Sequence, residues 1–212
     1  MKKIKSYAKV NLFLKVTKRL KKFHKLHSLI VQINFFDEVL IKENKKKKNF
    51  IFFYGKYKAN TQNNTVVNLL KLMKKKFPSL RHKNFDISIK KNIPSGSGLG
   101  GASSNATSVF NFIKRKYKLK ISGTESRKLL AKIGKDCPLF LNKKVKLIKS
   151  SGEKLVEFTD NPKLNMLLIY PNLTLSTKMV FNKLKKISNI SDKKKFKLKD
   201  KKKLLEVCKY YG

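Results

Sequence analysis

Four of the nine glycines in this 212-residue chain lie within six consecutive positions, Gly96 to Gly101. Two serines and an asparagine follow at residues 103–105, and an apolar pattern with helical spacing comes next. Glycine adopts positive φ angles readily and lets a ligand approach the backbone N–H groups closely. A run of N–H groups that leads into a helix N-terminus favours anions, of which phosphate is the most common. Residues 94–105 therefore predict a phosphate-binding loop.

Better-known phosphate loops fit this segment less well. The spacing Gly96-x-Gly98-x-x-Gly101 matches the dinucleotide fingerprint, but that fingerprint needs a following strand and an acidic residue about 20 residues further on. The chain continues instead with a basic run at residues 114–118. A P-loop ends in Gly-Lys-Ser/Thr, and protein kinases carry HRD and DFG motifs; neither pattern occurs. A plain glycine turn remains an alternative, although turns rarely need so many glycines before a helix.

Hydrophobic periodicity predicts the elements that position this loop. Alternating or continuous apolar residues predict strands at residues 4–16, 29–33, 38–41, 50–54, 85–89 and 164–170, with a hairpin around residues 150–152. Spacings of three and four residues predict helices at 62–77, after the glycine loop, from Ser122, from Ser176 and over 198–211. The first helix has Asn63 or Asn64 as its cap and stops at Pro78. This order of elements indicates an α+β fold.

The net charge and the number of cysteines indicate which binding partners and which cellular compartment to expect. The net charge is +41, but only four of the 53 basic residues are arginine, the residue that most often reads bases. The lysines are spread along the chain, so we attribute them to coding bias and predict no nucleic-acid partner. No apolar stretch approaches the roughly 20 residues of a membrane span, and no signal peptide is recognised. Two distant cysteines are typical of a cytoplasmic protein with free thiols.

The segment from Pro94 to Ala106 resembles the ATP-binding loop of the GHMP kinases, which include galactokinase, homoserine kinase and mevalonate kinase. Residues 6–14, 23–29 and 134–140 resemble further segments of the same family, and their order and spacing agree from Lys9 to about Phe181. The members that phosphorylate the 2-hydroxyl of 4-diphosphocytidyl-2-C-methyl-D-erythritol, in the non-mevalonate route to isoprenoids, are the most similar. A mevalonate- or homoserine-type kinase and a basic nucleic-acid-binding protein remain the alternatives.

The resemblance implies the two-domain α+β fold of this family. Residues 1–150 would form the ATP-binding domain, of the ribosomal protein S5 domain 2-like type, and residues 151–212 the start of a substrate domain. Family members are longer and carry a third glycine-rich motif, which does not occur before Gly212. We therefore expect either a fragment or a shortened form. The resemblance also implies ATP as the phosphate donor, magnesium carried mainly by ATP, a small-molecule acceptor, no membrane partner, and a monomer or homodimer.

The resemblance assigns roles to individual residues. Lys9 would be a catalytic cation and Asp136 the general base that accepts the hydroxyl proton. Lys9 and Asn11 are two residues apart in a predicted strand, so they would share a face. The predicted ATP-binding residues are Pro94, Ser95, Gly96, Ser97, Gly98, Leu99, Gly100, Gly101, Ala102, Ser103 and Ser104. The predicted substrate-binding residues are Asn11, Phe23, His24, Lys91 and Phe181. His24 and His27 have no nearby ligand partners, so no protein-held metal is expected.

Overall fold

The computed structural model describes residues 1–19, 24–57, 64–149, 154–158, 164–171 and 201–211. Within these ranges the strands are β1 (Lys2–Arg19), β2 (His24–Asn44), β3 (Phe50–Gly55), β4 (Asn84–Lys91), β5 (Lys146–Lys149) and β6 (Lys154–Glu157). The α-helices are α1 (Thr65–Lys76), α2 (Gly101–Lys116), α3 (Gly123–Ala131) and α4 (Lys201–Tyr211). Short 3-10 helices occur at Pro78–Leu80 and Cys137–Phe140. The mixture of strands and helices confirms the predicted α+β class.

The chain divides into two compact units. Unit 1 contains Met1–Ala8 and Ile33–Asn142, and unit 2 contains Lys9–Gln32 and Lys143–Gly212. These bounds describe which residues cluster together in space. The predicted domain boundary between residues 150 and 151 stays a prediction.

The sheet of unit 1 places the glycine loop. Strand β3 pairs in parallel with β4, and β4 pairs antiparallel with β2 from Glu38↔Lys90 to Asn44↔Asn84. One face of this sheet packs against the helices because alternate strand residues are apolar, as expected for a half-buried sheet. The largest buried side chains in unit 1 are Phe85, Phe110, Ile41, Leu69, Met73, Leu80, Ile87, Ile89 and Ile93. A single apolar cluster joins β2 and β4 to α1, α2 and α3.

Local signals in the sequence set the ends of two helices. The side chain of Asn64 accepts hydrogen bonds from the N–H groups of Val66 and Val67, and α1 ends at Lys76, just before Pro78. Helix α3 begins with a capping box in which Ser122 and Glu125 each bind the other's backbone N–H. Such caps satisfy N–H groups that have no partner within the helix. Both predicted helix starts are therefore confirmed.

Strand β2 corrects the prediction of two separate strands at residues 29–33 and 38–41. It is continuous from His24 to Asn44 and passes through Asp37. Asp37 lies in the gap between the two predicted strands. Asp37 stays in the strand because its carboxylate is buried with hydrogen-bonding partners, which removes the usual cost of burying a charge.

Unit 2 contains a second set of strand pairs. Strand β5 pairs antiparallel with the start of β2, from Ser28↔Ile148 to Ile30↔Lys146, and β6 pairs antiparallel with β5. The strands of the predicted hairpin are therefore confirmed, whereas residues 150–153 lie outside the described residues. Helix α4 confirms the predicted helix near the end of the chain. The helix predicted from Ser176 lies outside the described residues.

The predicted strand at residues 164–170 is wrong. The segment has no regular secondary structure, and the side chains of Leu167 and Ile169 are 88% and 79% exposed. An apolar sequence makes a strand only when another strand supplies the hydrogen bonds. Within the part of the chain that the structure describes, no strand pairs with this segment.

An ion-pair cluster on β2 predicts acid sensitivity. Glu43 pairs with Lys83 at 3.0 Å and with Lys116 at 3.1 Å. The interaction with Lys83 is the largest cause that lowers the pKa of Glu43 from 4.5 to about 2, and Lys116 adds to it. A depressed carboxyl pKa contributes stability above the unfolded-state pKa, and that contribution is lost as the pH falls from 4.5 towards about 2.

Glu43→Gln should therefore reduce the loss of unfolding free energy between pH 5 and pH 2 by about 1 kcal/mol, because water screens this partly exposed group. Urea denaturation at several pH values measures this loss. Asp86→Asn on β4, whose carboxylate pairs with Lys42 at the longer distance of 3.6 Å, changes the net charge equally and serves as the control. An unchanged acid dependence in Glu43→Gln would contradict the prediction.

Candidate functional site

The glycine-rich loop joins the end of β4 to the start of α2. Gly96, Gly98 and Gly100 have φ angles of 73°, 76° and 74°. These angles lie in the left-handed region, where glycine pays no steric cost and other residues are strained. Gly100 is the N-cap of α2, so the helix begins directly where the loop ends. The alternating glycines are thus required by the backbone path.

Gly101 lies where Lys91 and Ile93 approach the start of α2 closely. A Cβ atom at this position would lie 3.0 Å from Ile93 Cγ2 and 3.2 Å from Lys91 Nζ. The first N–H groups of an α-helix have no intrahelical acceptor and carry the positive end of the helix dipole. The start of α2 therefore has the chemistry of an anion site, and the small residue lets the end of β4 lie beside it.

A pocket of about 280 Å³ lies over this loop, entirely within unit 1. Nine of the eleven predicted ATP-binding residues line it, and Leu99 and Ser104 do not. Phe53 and the start of α1, residues 64–66, form part of the wall, which the sequence analysis missed. Asp136 lines the same pocket, so the structure brings the predicted general base and the predicted phosphate loop together.

Asp136 is held in place by the turn that follows α3. It directly precedes the 3-10 helix Cys137–Phe140, and its backbone carbonyl accepts the N–H of Leu139 at 3.0 Å. The hydroxyl of Thr107 on α2 donates to the carbonyl of Cys137 at 2.8 Å, which ties this turn to the helix that follows the loop. Burial raises the pKa of the Cys137 thiol, so this side chain stays neutral.

The two serines after the glycines differ in environment. Ser103 lines the pocket. Ser104 is buried, and its hydroxyl accepts a hydrogen bond from Ser6 at 2.8 Å. The predicted contact of Ser103 and Ser104 with ATP stays a prediction. No group of three or more His, Cys, Asp or Glu side chains is arranged to hold a metal ion within the described ranges.

Lys91 is part of a buried cluster that sequence reasoning missed. Its ammonium donates to the carboxylate of Asp37 and, at 3.0 Å, to the amide oxygen of Asn105. Asp37 and Asn105 are both fully buried. Asp37 carried a weak signal, because it is one of only 12 acidic residues and interrupts an apolar stretch. Lys91 also lines the pocket. Its predicted contact with the substrate stays a prediction.

The remaining predicted site residues lie in unit 2 or outside the residues that the structure describes. Lys9 is buried and donates to Asn11 Oδ1 at 2.6 Å, so the two side chains share a face as predicted. Asn11 also donates to Ser28 Oγ at 2.8 Å. Because Lys9 and Asp136 belong to different units, their pairing stays a prediction. Phe23, Phe181 and the side chain of His24 lie outside the described residues, so the predicted recognition of a base is also untested.

Comparison with known proteins identifies the family. The pattern of the GHMP kinases N terminal domain matches residues 64–142, which include the loop and Asp136. A protein of Petrotoga mobilis, "4-diphosphocytidyl-2-C-methyl-D-erythritol kinase", is 32% identical over 186 residues, which are 85% of this chain and 68% of that protein. The chain belongs to the GHMP kinase family. A protein of the same name from Pelagibacter ubique is 37% identical to this GHMP kinase chain over 187 residues.

Solved structures of GHMP kinases share the fold of this chain. A 4-(cytidine 5'-diphospho)-2C-methyl-D-erythritol kinase superimposes with a TM-score of 0.67 at 24% identity, over 85% of this chain and 63% of that one. The Methanococcus jannaschii mevalonate kinase superimposes with a TM-score of 0.53 at 17% identity, over 75% and 56%. The predicted GHMP fold is therefore confirmed. This GHMP kinase chain spans about two thirds of the curated relatives, covering 66% of the Pelagibacter protein.

No helix in the described parts of this GHMP kinase chain is both long and apolar enough to cross a membrane.

Proposed function

We propose that this chain belongs to an ATP-dependent small-molecule kinase that phosphorylates the 2-hydroxyl of 4-diphosphocytidyl-2-C-methyl-D-erythritol. The observation that carries the proposal is that one pocket is lined by the left-handed glycine loop, the start of α2 and Asp136. The substrate follows from the curated relatives, which share that name at 37% and 35% identity. Mevalonate kinases match at 16–17% identity, which supports a common fold and no more.

The loop and the start of α2 would hold the phosphates of ATP. Backbone N–H groups and the helix dipole favour these anions, and Ser103 adds a hydroxyl in the same pocket. Magnesium, which ATP carries, would neutralise phosphate charge when bound. The residues of this chain would act mainly by positioning the phosphates, because phosphoryl transfer depends largely on orientation and charge.

Asp136 would accept the proton of the acceptor hydroxyl. That oxygen forms a bond to the γ-phosphorus while the bond from the γ-phosphorus to the bridging oxygen breaks, so that ADP leaves with the electron pair. Lys9 would stabilise the negative charge on the transferred group. Asn11 accepts a hydrogen bond from Lys9 and would hold its ammonium in one direction. The acceptor would be contacted by the predicted substrate-binding residues, Asn11, Phe23, His24, Lys91 and Phe181.

The partners and compartment follow from the same proposal. The acceptor would be a cytidyl diphosphate sugar alcohol, and the protein would act in the cytoplasm as a monomer or homodimer. Neither nucleic acid nor a membrane is needed for this reaction.

Transfer of label from [γ-³²P]ATP tests the proposed function. The purified chain is incubated with magnesium and, in separate reactions, with 4-diphosphocytidyl-2-C-methyl-D-erythritol, mevalonate or homoserine. We expect label only in the cytidyl acceptor. Label in mevalonate or homoserine alone would overturn the substrate, and no label in any acceptor would contradict kinase activity of this chain. Binding of ATP, measured by calorimetry in parallel, separates loss of the nucleotide site from loss of transfer.

A further inference from the structure

We propose that Asp37 is a positioning residue that holds both ends of the glycine loop in the geometry needed for phosphate binding. This inference rests on the proposed ATP site. Asp37 lies within β2, its side chain is 0% exposed, and it does not line the pocket. Burying a carboxylate is costly unless charged or polar partners surround it. The identity of those partners therefore indicates what the residue is for.

The entry to the loop is bound by one oxygen of this carboxylate. Asp37 Oδ1 accepts the backbone N–H of Asn92 at 2.7 Å and that of Ile93 at 2.8 Å. Strand β4 ends at Lys91, and the loop proper starts at Pro94. Two consecutive N–H groups that bind one oxygen fix the direction of the chain at this point. Hydrogen bonds to a charged acceptor are stronger than neutral ones.

The exit from the loop is bound by the other oxygen. Asp37 Oδ2 accepts the side-chain N–H of Asn105, on the second turn of α2, at 3.0 Å. The same oxygen pairs with Lys91 Nζ, which also donates to Asn105 Oδ1. Asn105 in turn donates to Ser6 Oγ at 3.0 Å. A single carboxylate thus connects residues immediately before the loop to the helix immediately after it.

The cluster also pairs two opposite charges, those of Lys91 and Asp37. The Lys91 side chain is 5% exposed, and the carboxylate of Asp37 neutralises its ammonium at the wall of the pocket. In Asp37→Asn the side chain keeps its shape and one acceptor. Its NH₂ group would then face the ammonium of Lys91 and the NH₂ group of Asn105, so the exit connection would be lost. Loosening of the loop is the expected consequence.

Asp37→Asn and a matched control variant test the inference. We expect the Kd for magnesium-ATP, measured by calorimetry, to rise about 10- to 100-fold in Asp37→Asn, because small displacements of binding groups have effects of this size. Asp86→Asn removes another carboxylate from the same sheet, one that pairs with Lys42 and Asn44 away from the pocket. Its Kd should change less than twofold. Equal Kd values for Asp37→Asn and the wild type would overturn the inference.

Two further measurements keep the test decisive. Amide hydrogen exchange of residues 92–101 should be at least tenfold faster in Asp37→Asn than in Asp86→Asn, and equal rates would overturn the positioning role. This readout needs no nucleotide, so faster exchange in a chain that binds no ATP would support the positioning role while contradicting the proposed function. If Asp37→Asn does not fold, Asn105→Ala leaves the Asp37–Lys91 pair in place. Because Asn105 also lines the pocket, its readout is amide exchange without nucleotide, which should be about fivefold faster over residues 92–101 than in Asp86→Asn. Unchanged exchange in Asn105→Ala would also overturn the inference.

Discussion

Replacing Asp136 with asparagine is expected to lower phosphoryl transfer to the acceptor by 10²- to 10⁴-fold, the usual contribution of a general base. The two side chains have nearly the same shape, but the neutral amide does not take up the hydroxyl proton. The loop N–H groups would remain in place, so the Kd for ATP should change by less than about threefold. This split between transfer and nucleotide binding distinguishes a chemical role from a structural one.

The Asp136→Asn experiment uses the labelled transfer assay and calorimetry on the same preparations. Asp86→Asn, whose carboxylate pairs with Lys42 on the sheet of unit 1, is the control for the loss of one carboxylate. It should transfer phosphate at the wild-type rate. Turnover of Asp136→Asn within a few-fold of the wild type would remove Asp136 from the mechanism. A parallel loss of ATP affinity and transfer would indicate that the turn supports the loop and does no chemistry.

Phe110→Ala should lower the free energy of unfolding by about 3–5 kcal/mol, the usual cost of truncating a buried phenylalanine. The Phe110 ring is completely buried on α2, within the cluster that joins this helix to the sheet and to α1. The loss combines the transfer of the ring from water with the cavity that remains. Because small domains are stable by only about 5–15 kcal/mol, the variant would retain little stability.

Urea denaturation followed by circular dichroism measures this effect. Phe52 on β3 offers a matched control, since this phenylalanine is 62% exposed. Phe52→Ala should change the unfolding free energy by no more than about 0.5 kcal/mol. A loss below about 1 kcal/mol in Phe110→Ala would mean that α2 does not depend on this contact. The start of α2 would then be held mainly by its polar connections.

Local chemistry made several features predictable. The bounds of α1 follow from an asparagine cap and from Pro78, which both act within one or two helical turns. The glycine loop was predictable because positive φ angles favour glycine, and three of its glycines have φ angles between 73° and 76°. The apolar faces of α1 and α2 were predictable from spacing alone. The apolar residues at helical spacing are all buried: Val66, Leu69, Leu70 and Met73 on α1, and Ala106, Val109, Phe110 and Ile113 on α2.

Contacts between residues far apart in the sequence decided the features that were predicted wrongly. The prediction that residues 164–170 form a strand was wrong, because strand formation needs a pairing partner that an apolar pattern does not specify. The division of β2 into two strands was wrong for a related reason. Whether a charged residue leaves a strand depends on partners elsewhere, and those of Asp37 lie 54 to 68 residues further along the chain.

The sequence by itself determined the glycine-rich loop, the helix that follows it and the family resemblance, since these depend on residue types at short spacing. Only the tertiary structure decided that Asp136 shares a pocket with that loop and that Asp37 connects the residues on either side of it. The physical reason is that a buried carboxylate is stable only where the fold brings donors to it. Residue types reveal which groups need such donors, whereas the packing of distant segments decides which groups supply them.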